Sequence, residues 1–400
     1  MRGFVSPGDD FQVKIMAHDF DRVIERRHTN SNKWRKYPAD VLPLWVADMD
    51  FPSPEPVVRA MRERVDHGVF GYGFEGPEFA EVFVDRVQKR YGWTIRPEAL
   101  VLVPGVIPAL NVAGRALTAP GDGLLMQLPI YPPILRSPTN HELTRDGAML
   151  GREADGRYVA DLDTFRAAIT PRTRAFVLCN PHNPVGRVFT RAELEGMARI
   201  CLERDIPIIA DEIHCDLLFS GQHHVPIASL APEVERRTIT LMAPSKTFNL
   251  AGLKVSVAVI PDPGLRERFM AARGDFVQAQ VNIMGYAAAL AAYRDGHAWL
   301  EDLLRYLEAN RDFTVDYVRR HLPGVTTTAP EGTYLAWLDC RQAGPAAADP
   351  FTFFLERAKV AFNDGALFGP GGQGFVRLNF GTPRQVLTEG LERMRRALGA

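Results

Sequence analysis

Short apolar segments that alternate with helical segments constrain the fold of this chain most strongly. The strand candidates are residues 100–103, 123–128, 174–179, 206–210, 238–242 and 255–260. Each candidate is bounded by turn residues or charged side chains, and helices are predicted between them, over residues 107–117 and 190–204. Strands that alternate with helices favour a mostly parallel sheet wrapped by helices. The sequence therefore predicts an α/β fold for this part of the chain.

The pattern changes near residue 278. Long helical stretches cover residues 278–294 and 297–321, strand-like segments lie near 333–338 and 375–379, and a last helix is predicted over 383–398. These elements indicate a second, smaller α+β domain. Because chain ends often meet, we assign residues 1–48 and 291–400 to the small domain and residues 49–290 to the large one. Residues 1–15 lack periodicity and are predicted to be a loose extension that ends near Met16.

Charge and composition argue against several functional classes. The 400 residues carry a formal net charge of −1, which gives no electrostatic reason to expect nucleic acid or an anionic membrane as a partner. We see no signal-peptide segment and no run long enough to span a membrane, so we expect a cytoplasmic protein. The four cysteines fit no zinc spacing, and His223 and His224 are interpreted as part of a surface loop, so no metal site is predicted.

A glycine-rich segment, GYGFEG at residues 71–76, matches the pattern G-x-G-x-x-G. A dinucleotide-binding fingerprint requires a strand before the glycines and an acidic residue about 20 positions later. Here an amphipathic helix precedes the glycines, and we reject a nucleotide site. The segment is interpreted as a turn that presents Tyr72.

Four further segments contain residue types that suggest one kind of chemistry. They are NPHNPVG (180–186), ADEIH (210–214), PSKTFN (244–249) and FVRLNFG (375–381). Most lysines are solvated, but Lys246 follows an apolar strand and can be desolvated, which would lower its pKa and make the amine nucleophilic. Asp211 ends a strand and could simply cap a helix. Arg377 lies within an apolar strand and, if buried, requires a partner.

In this order and spacing the four segments closely resemble the fold-type I pyridoxal-phosphate enzymes, the aspartate aminotransferase superfamily. The resemblance extends from about residue 17 to the end of the chain. Within that superfamily, LWVADMDF (44–51), DEIH (211–214) and SKTFN (245–249) are similar to the cystathionine β-lyase group of C–S lyases. The resemblance implies a PLP-dependent transferase-like fold, pyridoxal 5′-phosphate as cofactor, a small amino-acid substrate and a homodimer with shared active sites.

The resemblance also implies roles around the cofactor ring. Lys246 carries the cofactor as a Schiff base and then acts as the base at the substrate Cα. Asp211 lies against the pyridine nitrogen, where at about 4 Å and an effective dielectric near 20 the attraction is roughly 4 kcal/mol, or roughly three pKa units. The protonated ring is then an electron sink. Tyr131 stacks on the ring, and Asn183 donates to its phenolic oxygen.

Phosphate and substrate contacts follow from the same resemblance. Backbone N–H groups at a helix start bind the phosphate, together with a serine hydroxyl and a tyrosine from the neighbouring subunit. A bidentate arginine binds the substrate α-carboxylate, with a backbone N–H from residues 45–47. The phosphate residues are Gly105, Val106, Ile107, Ser245 and Tyr72, and the substrate residues are Arg377 and Ala47.

Two positions depart from the aminotransferase pattern. His214 occupies the cofactor-site position where aminotransferases have a tyrosine, as in the C–S lyases. Lys254 occupies the position, eight residues after the lysine, where many relatives have an arginine.

The implied function is β-elimination on a thioether such as L-cystathionine, giving pyruvate, ammonia and a thiol. An aminotransferase that uses the same residues is one alternative. A regulatory protein that keeps the cofactor site as a sensor is another, although no helix-turn-helix is evident before the cofactor domain.

Overall fold

The computed structural model of the chain describes residues 18–274 and 280–399. The predicted extension over residues 1–15 and the expected start near Met16 lie outside the described residues. The strands are β1 Leu42–Pro43, β2 Leu100–Val103, β3 Gly123–Leu128, β4 Thr144–Met149, β5 Gly151–Arg152, β6 Tyr158–Val159, β7 Thr173–Cys179, β8 Ile208–Asp211, β9 Thr238–Met242, β10 Ser256–Val259, β11 Leu335–Asp339, β12 Val360–Ala361, β13 Asn363–Asp364 and β14 Phe375–Asn379. The α-helices are α1 Asn32–Arg35, α2 Glu55–His67, α3 Pro77–Tyr91, α4 Val106–Leu117, α5 Pro132–Arg136, α6 Leu162–Ala167, α7 Arg191–Glu203, α8 Pro232–Glu235, α9 Pro244–Thr247, α10 Pro263–Arg273, α11 Ile283–Asp295, α12 His297–His321, α13 Pro350–Phe353 and α14 Arg384–Ala397.

A seven-stranded sheet forms the centre of the larger part of the molecule. Its strand order is β2-β10-β9-β8-β7-β3-β4. The pairs from β9 to β4 are parallel, whereas β10 runs antiparallel to both of its neighbours, β9 and β2. The predicted α/β fold with a mostly parallel sheet is therefore confirmed.

The edge strand β4 was not predicted from the sequence. Its residues alternate in exposure, with Asp146 and Ala148 buried and Arg145 and Gly147 exposed. An edge strand has one unpaired side and often carries charge. β4 carries charge in this way and lacks the continuous apolar run that identified the six other strands, including β2 at the opposite edge.

Helix α7 shows how local sequence sets an element boundary. Thr190 accepts the backbone N–H of Glu193 through its side chain, and the Glu193 carboxylate accepts the backbone N–H of Thr190. This reciprocal capping box satisfies donors that a helix N-terminus otherwise leaves free. The helices predicted over 107–117, 190–204, 297–321 and 383–398 are confirmed within one or two residues, and α11 starts later than predicted, at Ile283.

A second, three-stranded antiparallel sheet has the order β11-β14-β13. Near it, Leu42 and Pro43 of β1 pair in parallel with β12, so an early segment of the chain joins the C-terminal part. The division at residues 49 and 290 stays a prediction. Within the described ranges, no helix is both long enough and apolar enough to cross a bilayer.

Candidate active site

The carboxyl ends of the parallel strands open into one cavity of about 360 Å³. Ligands of open α/β sheets bind at this edge, because loops from several strands converge there. The predicted residues that line the cavity are Ala47, Gly105, Val106, Ile107, Tyr131, Asn183, Asp211, His214, Ser245, Lys246 and Lys254. Two predicted residues do not line the cavity. Arg377 contacts it through its hydrogen bond to Asn183, and Tyr72 lies on an exposed surface.

Lys246 lies in the short helix α9, directly after strand β9. Its Nζ donates to the carbonyl oxygen of Ala47 at 2.7 Å. Burial lowers the pKa of Lys246 to about 8, with Arg377 acting in the same direction and Asp48 opposing the shift. The amine is therefore much less basic than a solvated lysine, as the sequence predicted.

Asp211 is the last residue of β8, and its side chain is buried. Burial raises the pKa of Asp211 to about 7, against the backbone N–H of Ile213, which donates to the carboxylate at 3.2 Å. Among the described residues, no cationic side chain forms an ion pair with Asp211. A buried carboxyl group that faces a cavity and has no ion-pair partner in the described part of the chain fits a ligand that brings a protonated nitrogen.

Arg377 lies on β14 and is only 3% exposed. Its Nη1 donates to Oδ1 of Asn183 at 2.8 Å. Its Nη2 has two acceptors, the carbonyl oxygen of Trp45 at 3.2 Å and Oδ1 of Asn363 at 2.5 Å. Oδ1 of Asn183 is engaged by Arg377, whereas its amide nitrogen has no acceptor among the described residues and can donate to a ligand in the cavity that Asn183 lines. Arg377 forms no ion pair with a carboxylate within the described part of the chain.

The start of helix α4 supplies an anion site at one end of the cavity. Gly105 has φ 120°, a conformation that favours glycine, and the N–H groups of Val106 and Ile107 belong to the first helical turn, where no intrahelical acceptor exists. Ser245 and Lys254 line the same cavity. Free N–H groups, a hydroxyl and an ammonium group fit a phosphate.

His214 is buried in the cavity wall. Burial lowers its pKa to about 3, and the positive charges of Lys246 and Arg377 act in the same direction. Its Nδ1 has no hydrogen-bond partner among the described residues. The imidazole is therefore neutral and presents a polar atom without a protein partner.

Tyr72 is 97% exposed on the isolated chain. Phe70 and Phe74, from the same segment, are 60% and 83% exposed. The predicted role of Tyr72 in a neighbouring subunit requires an exposed side chain, which Tyr72 has, and the role itself stays a prediction.

The sequence patterns indicated no role for the side chains that hold the loop at residues 46–51. Asn249 donates to the carbonyl oxygens of Met49 and Phe51, and Asn379 donates to those of Val46 and Asp48. Asn379 lies two residues after Arg377, and Asn249 lies three residues after Lys246, so both belong to the segments quoted in the sequence analysis. Nothing in those segments indicated that the two asparagines hold this loop.

The interpretation of His223 and His224 as a surface loop was wrong for His224. Its side chain is fully buried, and its Nε2 lies 2.8 Å from Oε2 of Glu212. The flanking polar residues suggested exposure, but His224 and Glu212 form a buried pair, and the His224 ring packs against Tyr91. No metal-binding group of His, Cys, Asp and Glu is found among the described residues.

The chain is similar over most of its length to proteins of a known family. The model of the family "Aminotransferase class I and II" matches residues 39–394. The chain is 38% identical over 390 residues to cystathionine beta-lyase PatB of Bacillus subtilis, covering 95% of this chain and 100% of the relative. It superimposes on the crystal structure of OvoB with a TM-score of 0.91 and 44% identity, covering 96% and 100% of the two chains.

A third relative is the PLP-bound C–S lyase from Staphylococcus hominis. Its structure has a TM-score of 0.90 and 33% identity to this chain, covering 95% and 99% of the two chains. These matches confirm the resemblance inferred from the four sequence segments. The chain belongs to the aminotransferase class I and II family.

Proposed function

We propose that the protein is a pyridoxal-phosphate-dependent C–S β-lyase that cleaves cystathionine or a related cysteine thioether to pyruvate, ammonia and a thiol. The observation that carries the proposal is that Lys246, with its lowered pKa, and the buried Asp211 line one cavity, and that the buried Arg377 is hydrogen-bonded to Asn183 in the wall of that cavity. Among the described residues, neither Asp211 nor Arg377 forms an ion pair. The relatives named as cystathionine β-lyase and C–S lyase support this choice within the family.

The residues of the cavity fit pyridoxal 5′-phosphate. Asp211 would hold the ring nitrogen, the free amide of Asn183 would donate to the phenolic oxygen, and Tyr131 would cover one face of the ring. The N–H groups at the start of α4, with Gly105 as its N-cap, and the Ser245 hydroxyl would bind the phosphate, and Lys254 would add a positive charge. When bound, the cofactor supplies an electron sink that stabilises negative charge at the substrate Cα.

The chain's own groups then determine which bonds react. Arg377 would bind the α-carboxylate, and a backbone N–H from Ala47 would add a second contact, so the Cα–H is directed at Lys246. A pKa near 8 leaves an appreciable neutral fraction of the Lys246 amine at neutral pH, and that fraction can accept the Cα proton. Neutral His214 adds no charge that would compete for the carboxylate or for Asp211.

The best test incubates the purified protein with L-cystathionine and no oxo acid. Pyruvate should form at a steady rate, because a thiolate leaves Cβ readily and the cofactor is regenerated in each turnover. Lys246→Ala is the matched control and should form none. If turnover stops after one equivalent and resumes when an oxo acid is added, the protein is an aminotransferase. If the protein binds the amino acid without turning it over, the regulatory alternative applies.

We also propose a cytoplasmic homodimer in which Tyr72 reaches the phosphate of the neighbouring subunit. The exposed segment around Tyr72, with Phe70 and Phe74, supports an interface at this surface. Mixing Tyr72→Phe and Lys246→Ala chains should restore part of the activity that either homodimer lacks. No recovery after demonstrated subunit exchange would count against the shared site.

A further inference from the structure

The buried arginines in the described part of the chain fall into two kinds. Arg86 pairs with Asp216 at 2.8 Å, and Arg187 pairs with Glu193 at 2.9 Å and with Glu331 at 2.8 Å. Each of these guanidinium charges is compensated by a carboxylate, as the cost of burying a charge requires.

Arg377 is as deeply buried as Arg187, at 3% exposure, but every protein acceptor that it uses is neutral. These acceptors are two side-chain amide oxygens and one backbone carbonyl oxygen, and its Nε has no partner among the described residues. The ring of Phe368 lies 5.1 Å from the guanidinium carbon. The environment fixes the position of the guanidinium group without neutralising it.

Asn363 makes the shortest of these contacts. It lies on β13 directly opposite Arg377 on β14, so the sheet register places the two side chains next to each other. Arginine has only donors, so Asn363 must present Oδ1 to it. An aspartate at this position would have the same shape and could accept the same hydrogen bond, but it would add a negative charge.

We propose that Asn363 is a positioning and specificity-determining residue, whose neutral oxygen orients Arg377 while leaving its charge available for the substrate carboxylate. The inference rests on the proposed role of Arg377 in the lyase reaction and adds a requirement: the group opposite Arg377 must be an acceptor and must be uncharged. A carboxylate there would compete with the substrate, because the guanidinium would already be paired before binding.

Two substitutions separate this role from simple structural support. Asn363→Asp preserves shape and acceptor but adds charge, whereas Asn363→Ala removes the acceptor and leaves the charge of Arg377 free. We expect Asn363→Asp to raise KM for L-cystathionine roughly ten- to a hundredfold, since the substrate must displace a charge-assisted pair, with a smaller change in kcat. Asn363→Ala should raise KM less than Asn363→Asp does. If Asn363 were only structural, the order would be reversed.

A second measurement does not depend on turnover. Thermal unfolding of the cofactor-free protein should show that Asn363→Asp is at least as stable as the wild type, because its new carboxylate compensates a buried charge.

A binding titration then compares L-alanine with ethylamine, which lacks the carboxylate, by the change in cofactor absorbance. The preference for L-alanine should fall in Asn363→Asp.

Arg377→Ala distinguishes the possible failures. If Arg377→Ala abolishes the preference for L-alanine while Asn363→Asp leaves KM and the preference unchanged, the inference about Asn363 is wrong and the role of Arg377 stands. If Arg377→Ala retains the preference, both the role of Arg377 and the inference are wrong.

Discussion

The lowered pKa of Lys246 predicts how the cofactor-free protein captures pyridoxal phosphate as pH changes. Only the neutral amine attacks an aldehyde, so the rate of capture follows the neutral fraction of Lys246. Burial lowers the pKa of this lysine to about 8 from an ordinary value of 10.5. The rate should therefore rise through pH 8 and level off, rather than continue to rise to pH 10.

The size of the effect follows from the shift. At pH 7.5 a group with a pKa of about 8 is about one quarter neutral, whereas a solvated lysine is about one part in a thousand neutral, a ratio of roughly two hundred. Asp48 opposes the shift because its carboxylate favours the charged amine. Asp48→Asn should therefore move the midpoint of the profile to still lower pH.

Absorbance of the bound cofactor gives the capture rate in stopped-flow experiments between pH 6 and 11. A small model amine measured in parallel corrects for titration of the cofactor itself, and Lys246→Ala protein should show no capture. A midpoint near pH 10 in the corrected profile would show that burial does not activate Lys246, and the electrostatic argument would fail.

Four further predictions follow from the structure. Borohydride reduction of the cofactor-loaded protein and peptide mapping should place the label on Lys246, and a label on another lysine would contradict the assignment. Arg377→Lys should weaken amino-acid binding while the cofactor stays bound, because the planar fork is lost; unchanged affinity would refute that role. Asp211→Asn should slow pyruvate formation by up to about a thousandfold, the equivalent of three pKa units at the ring nitrogen, and a change below tenfold would oppose this. Thr190→Ala should reduce the free energy of unfolding by about 1 kcal/mol in denaturant titrations, whereas no change would mean that the capping box contributes nothing.

The sequence predicted the large sheet because six of its strands are buried on both faces and read as apolar runs. It did not predict β4, whose Arg145 faces solvent at the sheet edge. It also could not predict that β10 lies antiparallel between β2 and β9, since strand order depends on contacts between distant segments.

Most cavity residues were predicted through the family resemblance, and few through physical pattern alone. Lys246 and Arg377 stood out as charged residues in apolar surroundings, which is a local signal. Asn363 and Asp48 act through neighbours that are distant in sequence, and nothing near them in the chain indicates that role. His224 shows the opposite error, because its polar neighbours suggested exposure although the side chain pairs with Glu212 inside the protein.

The loop at residues 46–51 and the residue just before it have a consequence for the length of substrate that fits. Arg377 donates to the carbonyl oxygen of Trp45, and Lys246 donates to that of Ala47. Two residues of extended chain span at most about 7 Å, so the Cα atoms of Trp45 and Ala47 are no farther apart than that, and Arg377 and Lys246 are each hydrogen-bonded to one of these two residues. Asn249 and Asn379 tie the loop to the segments that carry Lys246 and Arg377. We therefore expect β-amino acids to be rejected, because their added methylene, about 1.5 Å of bond length, would shift the reacting carbon away from the lysine once the carboxylate is bound.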